Sequence, residues 1–386
     1  MKTALISNFQ TDPKIKGFFH DFINFCENSS EFFSYYLKKK RNIKENLNIF
    51  LEVKEIECIV FFCDIYNYLD VDYLIDLKSK YKIVMYHGDV QERFDICYNY
   101  ISQTADLILT AELIETYRYE QFNYNAKNLP MALDKSLANE TIINKDIDVS
   151  FIGRLDRPYR KECVNFLIEK GIDVQLYGYG SKNGILNHDE MINILKRSKI
   201  VLNFTSASMS VPFFIKQLNI QRLCKVLKGR PYEGMICGAL VISQESQDIK
   251  HLFTEDMIVV AKDKDEFLEK INFYLKNEKE RSRIAENGKK YVLTHNTFES
   301  LFEYLNEILK GIIKTKNEKF IYDRRFKSYS FRMLLDQILR SNVRNIEWTN
   351  YCFKRIIKDL NFFNLCDIFG LFFYYVTNKK IYKNDN

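Results

Sequence analysis

The feature that most constrains this chain is a repeated alternation of two kinds of segment. Short apolar runs such as TALIS, CIVFF, KIVMYH, LILT, DVSFI, KIVLNF and GALVIS are interleaved with stretches whose apolar residues recur at helical spacing. Strands buried on both faces read as continuous apolar runs, and parallel neighbours need a long crossover, usually a helix. The pattern therefore predicts an α/β protein with open parallel sheets built from right-handed βαβ units.

The alternation comes in two series. In the first, strands are expected at 3–9, 57–64, 82–89 and 105–111, with the apolar segment NLPMALD at 128–134 closing it. Helices are expected over 17–40 (broken near Asn28–Ser30), over DYLIDLKSKY, over 91–104 and over 112–120. The second series starts near Asp146, with strands at 148–154, 172–180 and 199–205 and a helix at 160–171 that Gly171 stops. HDEMINILKRS reads as a helix, 228–243 as loop, short helix and strand, DMIVVAKD as a strand, and the segment to His295 as two helices. The polar, non-periodic stretch 135–147 reads as the joint. The expected domains are 1–140 and 146–310, followed by a distinct extension at 311–386. A length of 386 residues fits two domains at roughly 100–200 residues each.

Bulk properties exclude several classes. With 13 glycines and 5 prolines the chain is neither collagen-like nor a long disordered polymer. Its nine cysteines are odd in number and widely spaced, without CxxC, so neither a disulfide framework nor a zinc site is expected. They read as buried thiols in a reducing compartment. The apolar run in MKTALISNFQTDPK is too short for a secretion signal, and no run reaches the ~18 apolar residues of a spanning helix. A cytoplasmic protein is expected. The net charge of +6 is unevenly placed: residues 311–386 hold 15 Lys and Arg against 7 Asp and Glu, and the rest of the chain 42 against 44. That distribution does not suit nucleic-acid binding by the main body.

In open α/β sheets ligands bind beyond the carboxyl ends of the strands. In KGRPYEGMICGALVIS, Lys228 and Arg230 stand at a helix start, Tyr232 and Glu233 lie in its first turn, and Gly238 ends it. Cations beside free backbone N–H groups suit a diphosphate, and a carboxylate suits ribose hydroxyls. In FIGRLDRPYRK, Gly153 ends a strand and Arg154 is placed to reach phosphate, with Arg160 or Lys161 as a second cation. Gly178 and Gly180 in YGYG form a third strand-end loop. Taken singly, each cluster has an ordinary explanation as a solvated basic loop, a helix-capping acid or a glycine turn.

Taken together, these segments resemble the group 1 glycosyltransferases, and specifically their spore-maturation-protein-like branch. The resemblance runs nearly continuously over 150–300, through FIGR, YGYG, SKIVLNFT, KGRPYEGMICGALVISQE and the helices to THNTFE. It is looser in the first half, at YHGD, ADLILTA and LPMALD. It implies a GT-B fold of two Rossmann-like domains with the active site in the cleft between them. It also implies a nucleotide-diphosphate sugar donor held by the C-terminal half, no required metal, and no cofactor beyond that co-substrate. Glu233 matches the family's ribose-binding carboxylate, and Arg154 and Arg230 match basic positions near the donor diphosphate. One departure stands out: many retaining members carry a second carboxylate eight residues earlier, and here that position is Lys225.

The expected activity is metal-independent transfer of a hexosyl or related sugar to a glycan, lipid-linked or protein acceptor, in surface-glycan biosynthesis. Arg154, Lys228 and Arg230 would stabilise the leaving diphosphate. Asp89, in YHGD, is the candidate base for the acceptor hydroxyl, with His87 beside it. Asp89 also suits a helix N-cap, and His87 a partly buried polar position. Asn8 is expected to face the cleft, and His295 to serve the turn before the last helix of the second domain. Part of 296–310 is expected to brace the first domain. For 311–386, with 16 aromatics in 76 residues, two readings stand: a packed helical appendage, or contact with an anionic membrane surface at the inner face. A non-catalytic GT-B binding protein and a sugar-nucleotide epimerase share the same fold signals.

Overall fold

The computed structural model describes residues 1–8, 18–38, 42–62, 65, 68–88, 90, 94, 98–139, 144–206, 225–315, 320–321, 353–354 and 357. The first domain is a six-stranded parallel sheet ordered β2-β1-β3-β4-β5-β6. Its strands are β1 (Thr3–Ser7), β2 (Phe32–Tyr36), β3 (Cys58–Phe61), β4 (Lys82–His87), β5 (Leu107–Thr110) and β6 (Ala126–Asn128). Helices α1 (Phe18–Cys26), α2 (Ile43–Val53), α3 (Val71–Lys80) and α4 (Leu113–Gln121) cover its faces.

The second domain is a five-stranded parallel sheet ordered β11-β10-β9-β7-β8. Its strands are β7 (Ile147–Ile152), β8 (Val174–Tyr177), β9 (Ser198–Asn203), β10 (Leu240–Gln244) and β11 (Val259–Ala261). Helices α5 (Pro158–Glu169), α6 (His188–Arg197), α7 (Arg230–Ile236), α8 (Gln247–Leu252), α9 (Lys264–Lys276) and α10 (Glu278–His295) flank it. The central strands are largely apolar on both sides, and each sheet carries two separate buried clusters, one per face. Both sheets reverse their winding next to the first strand, between β1 and β3 and between β7 and β9. Those switch points open crevices beyond the carboxyl ends of the strands. The architecture is the α/β, two-sheet one that the sequence predicts.

The last helix, α11 (Phe298–Lys310), changes domain. Its Phe298, Leu301, Leu305 and Leu309 are buried with Leu5, Phe22 and Val84 of the first domain. Burying such side chains stabilises by roughly 1.5–3 kcal/mol each, which fixes the crossing. The crossing is pinned where Leu133 N donates to Asn296 O at 2.8 Å, Phe298 N to Leu133 O at 3.0 Å and Asn296 Nδ2 to Met131 O at 2.7 Å. The sequence boundary that assigned 146–310 to the second domain is thus corrected: the helices on its sheet end with α10. Beyond α11 the chain follows the first domain. Thr315 N and Oγ1 donate to Asp106 at 2.8 and 2.9 Å, Lys314 Nζ to Ser79 O at 2.9 Å, and Ile321 N to Gln103 at 2.8 Å.

Two local expectations fail. The helix drawn over 17–40 stops at Cys26, and Phe32–Tyr36 is instead edge strand β2, parallel to β1. Aromatic residues are strand formers, and the tight turn at Asn28–Ser30 releases them to pair. Helix α2, with Leu47 and Leu51 buried, was not anticipated. Of the helix expected over 91–104, Asn99–Ile101 is helical and Ser102–Thr104 continues it as a 3-10 turn; most of 91–97 and most of 311–386 fall outside the described residues. Among the described residues no helix is long and apolar enough to cross a membrane. Cys26, Cys58, Cys163 and Cys237 are free and buried, and burial pushes their thiols up to about 12.

Candidate functional site

The carboxyl end of β7 lies at the second domain's switch point. There Gly153 N donates to Tyr177 O at 2.9 Å, and Leu155 N to Tyr179 O at 2.9 Å, so the β7 and β8 loops run side by side. Gly178 has φ +108°, and a Cβ there would sit 2.3 Å from the Gly153 carbonyl oxygen. At this edge Gly178 lets the two backbones touch. Gly180 turns the β8 loop at φ +81°.

Arg154 projects from this edge. Its guanidinium donates to Asp156 through Nε at 3.2 Å and Nη2 at 2.6 Å, and stacks 4.6 Å from the Tyr179 ring centroid. The hydrogen bond from Arg154 holds the Asp156 carboxyl below the usual carboxylate range, although burial opposes it. Two residues on, α5 begins with Pro158 in its first turn and Arg157 as an N-cap without a side-chain cap bond. From that turn Arg160 reaches across the switch point and donates to Phe204 O at 3.4 Å and Ser206 O at 3.3 Å. Its Nε is buried with no partner, and desolvation lowers its pKa. Arg154, Arg157 and Arg160 thus gather around one acid, Asp156, at an open helix N-terminus. Such a place favours an anion.

The end of β9 is tied to β10. Thr205 Oγ1 donates to Glu245 O at 2.9 Å, while Ser206 N and Oγ donate to Gln244 Oε1 at 2.9 and 2.8 Å. Lys225 returns beside Ser206 and pairs with Glu245 at 3.0 Å. Hydrogen bonds from Lys225 and Lys250 hold the Glu245 carboxyl low. The position eight residues before Glu233 therefore holds a lysine bonded to a carboxylate from the next strand. The sequence gives no spacing signal for Glu245.

Glu233, in the first turn of α7, pairs with Arg230 at 2.7 Å, and Arg230 Nη1 also lies 2.8 Å from Met191 Sδ. Glu233 opens on a cavity of about 620 Å³ between the domains. Asp21 and Asn24 of α1, Met131 and Asp134 of the linker, and Asn187 at the start of α6 share its wall. Gly229 lets the linker pass: a Cβ there would meet Met131 Sδ at 2.6 Å. Lys228 is exposed just ahead of the helix.

Tyr232 corrects the sequence reading. It is 3% exposed, packs 5.7 Å from Phe253, and burial raises its hydroxyl pKa far above the ordinary value. One residue along a helix turns a side chain by ~100°, so Tyr232 points into the core beneath the surface that carries Glu233. His87 is placed similarly: it is 3% exposed, its Nδ1 lies 2.6 Å from Tyr119 Oη, and its ring stacks on Tyr98 at 4.1 Å. That environment gives it a packing role at the end of β4 rather than direct contact with an acceptor. Asp89 lies outside the described residues. Asn8 sits at the end of β1, donating to Tyr68 Oη at 3.2 Å, with its Oδ1 and the neighbouring Ser7 Oγ buried and unpartnered. His295 ends α10, exposed, its ring 4.9 Å from Tyr291.

Comparison with known proteins agrees with this geometry. Residues 157–307 match the family described as glycosyl transferase-like. No curated protein matches the chain. Among solved structures, it is similar to a sucrose-phosphate synthase from Thermosynechococcus elongatus, with TM-score 0.60 and 9% identity over 80% of this chain and 98% of that one. It is also similar to Anabaena Alr3699/HepE in complex with UDP-glucose, with TM-score 0.54 and 10% identity over 80% and 99% of the chains. A glycosyltransferase from Rickettsia africae ESF-5 gives TM-score 0.54 and 8% identity over 81% and 99%. These likenesses show the GT-B fold, and the family match over 157–307 lies on the second domain and α11. The group 1 resemblance holds at that level; the comparisons do not single out its spore-maturation-protein-like branch.

Proposed function

We propose that the protein transfers a sugar from a nucleotide-diphosphate sugar to a glycan, lipid-linked or protein acceptor. The observation that carries the reading is the gathering of Arg154, Arg157 and Arg160 at the switch point of a glycosyl transferase-like domain. Glu233 opens on the interdomain cavity from the same domain. Breaking the sugar–phosphate bond leaves negative charge on the diphosphate. Cations fixed in advance stabilise that charge more than the ground state, which is what lowers a barrier. Arg154 and Arg160 are the groups we assign to the diphosphate, with Lys228 and Arg230 on the α7 side. Glu233 would exchange part of its Arg230 contact for ribose hydroxyls. Asp89 is our candidate for the base that takes the acceptor proton.

The similar Anabaena structure holds UDP-glucose, which supports a nucleotide-sugar partner. A route to surface glycans, catalysis without a metal, a cytoplasmic location and a membrane contact through 311–386 belong to the same proposal.

The test is release of nucleoside diphosphate from a panel of nucleotide sugars, with and without membrane extract as acceptor source, and with EDTA. Release from one donor is expected, unaffected by EDTA. It should fall about 100-fold or more in Arg154→Ala and Glu233→Ala, the scale seen when a group stabilising developing charge is removed. No release from any donor, combined with no thermal stabilisation by any nucleotide, would remove the proposal.

A further inference from the structure

Asp248 stands in the first turn of α8, on the second domain, yet its hydrogen bonds go to the first. Its Oδ1 accepts from Ile114 N at 3.0 Å, and Leu113 N also bonds to it. Leu113 and Ile114 open α4, whose own N-cap residue Glu112 supplies no side-chain cap bond. The first N–H groups of a helix need an acceptor, and here the other domain provides it.

The position of this contact gives it leverage. Helix α4 follows β5 and α8 follows β10, so each helix starts at the carboxyl edge of its sheet, and the two edges meet at Asp248. The covalent crossings between domains run over the opposite face of the first sheet, where α1 and α11 pack; Tyr119 of α4 belongs to the other face's cluster. Asp248 therefore holds the domains together from the side that the chain crossings leave open. The same short helix reaches the anion site. Lys250 pairs with Glu245 at 3.0 Å, Glu245 pairs with Lys225, and Thr205 at the end of β9 donates to Glu245 O at 2.9 Å.

The contact is also poised to open. Asp248 is 1% exposed, and its Oδ2 is buried with no hydrogen-bond partner among the described residues. Closed, the carboxylate gains the Ile114 N–H bond, a favourable contribution from the Leu113 N–H and the favourable end of a helix dipole. Open, it regains its water, which a buried carboxylate with one oxygen unsatisfied forgoes. A gain thus stands against a cost, and the balance of the two sets how far the contact stays closed.

We propose that Asp248 is a positioning residue that latches the two domains over the cleft by capping α4 from the donor side, and so sets the approach of acceptor to donor. The effect on transfer rests on the transferase reading above; the latch itself does not.

The experiment uses the full chain as wild type, Asp248→Ala, Asp248→Asn and Leu113→Pro. Proline is tolerated at the first helical position, and Glu112 before it is already extended at φ −97° and ψ 126°. This variant removes a donor without touching Asp248, and it carries the test if the alanine variant fails to fold. Small-angle X-ray scattering reads the domain separation, UDP binding reads the donor side alone, and donor turnover reads alignment. Asp248→Ala and Leu113→Pro are expected to increase the radius of gyration. They should lower kcat about 10- to 100-fold, the scale of a small misplacement, with UDP affinity within about twofold of wild type. Asp248→Asn retains the acceptor oxygen and should recover most of both losses. Unchanged scattering in Asp248→Ala, or an asparagine variant as open as the alanine one, would overturn the latch. Opening without any turnover in the wild type would instead sink the transferase reading and leave the latch standing.

Discussion

At the scale of single residues, the site is shaped as much by atoms that are missing as by those present. Gly178 and Gly184 both have positive φ, +108° and +73°, but only Gly178 has a backbone carbonyl where a Cβ would go. Gly184→Ala meets nothing within 4 Å, so it should cost only the conformational penalty, about 1 kcal/mol. Gly178→Ala must also push the β7 and β8 loops apart, and roughly 3 kcal/mol is expected. Urea unfolding of the two variants checks this; equal losses would mean that loop contact contributes nothing. Lys145 gives a pH signature. Burial lowers it to about 8, while it donates to Lys196 O and Ser198 O at the end of α6. An unfolded lysine titrates near ~10.4, so between those values the unfolded chain binds more protons than the folded one. Stability therefore rises with pH across that window, and below it the full cost of the buried charge is present. Lys145→Gln has no such titration. The wild type should gain about 2 kcal/mol relative to it between about pH 7.5 and about pH 10, measured by paired urea melts. Residue identity was readable at Arg154 and Glu233, since both follow strand-end and helix-start signals. Burial was not: Tyr232 sits one residue from Glu233, and only the helix's rotation separates core from surface.

At the scale of elements, the sequence was most informative where an apolar run met a clear cap. Helix α6 starts at a capping box in which Asn187 accepts from Glu190 N at 2.9 Å and Glu190 accepts from Asn187 N at 2.8 Å. Asn187→Ala should cost about 1 kcal/mol, read from the denaturation midpoint. A loss well below that would mean that the cavity side of α6 is held by other contacts. The β2 segment was illegible for a physical reason. FFSYY is five residues of aromatic sequence, short enough to satisfy either period, and only its pairing with β1 decides. Glu245 and Asp248 were missed on the same principle. Each acts on a residue distant in sequence, Glu245 on Lys225 and Asp248 on Ile114, and no local spacing marks such partners.

At the scale of the whole molecule, the C-terminal course of the chain decides what the extension can do. After α11 the described residues 311–315 and 320–321 stay on the first domain. They run by Ser79, Gln103 and Asp106, which precede β4 and β5, at the amino edge of the first sheet. The cleft lies at the carboxyl edge, one strand length away. Ile321 thus lies on the far side of the first domain from the anion site, and the membrane reading of the extension is that it tethers the enzyme. A chain ending at Ile321 keeps α11 and the Asp106 contacts, so it should fold and release nucleoside diphosphate from the same donor as the full chain does. With a soluble acceptor its kcat should equal that of the full chain. With an acceptor embedded in anionic vesicles its rate should fall, and the deficit should shrink as salt rises toward 1 M, where the Debye length is only ~3 Å and surface attraction is screened. Nucleoside diphosphate release measures both arms. Equal losses on soluble and embedded acceptors would assign the extension to the fold or the active site and end the tether reading, whereas a loss confined to vesicles, matched by loss of vesicle co-sedimentation, would make the extension the part that brings the cleft to its acceptor.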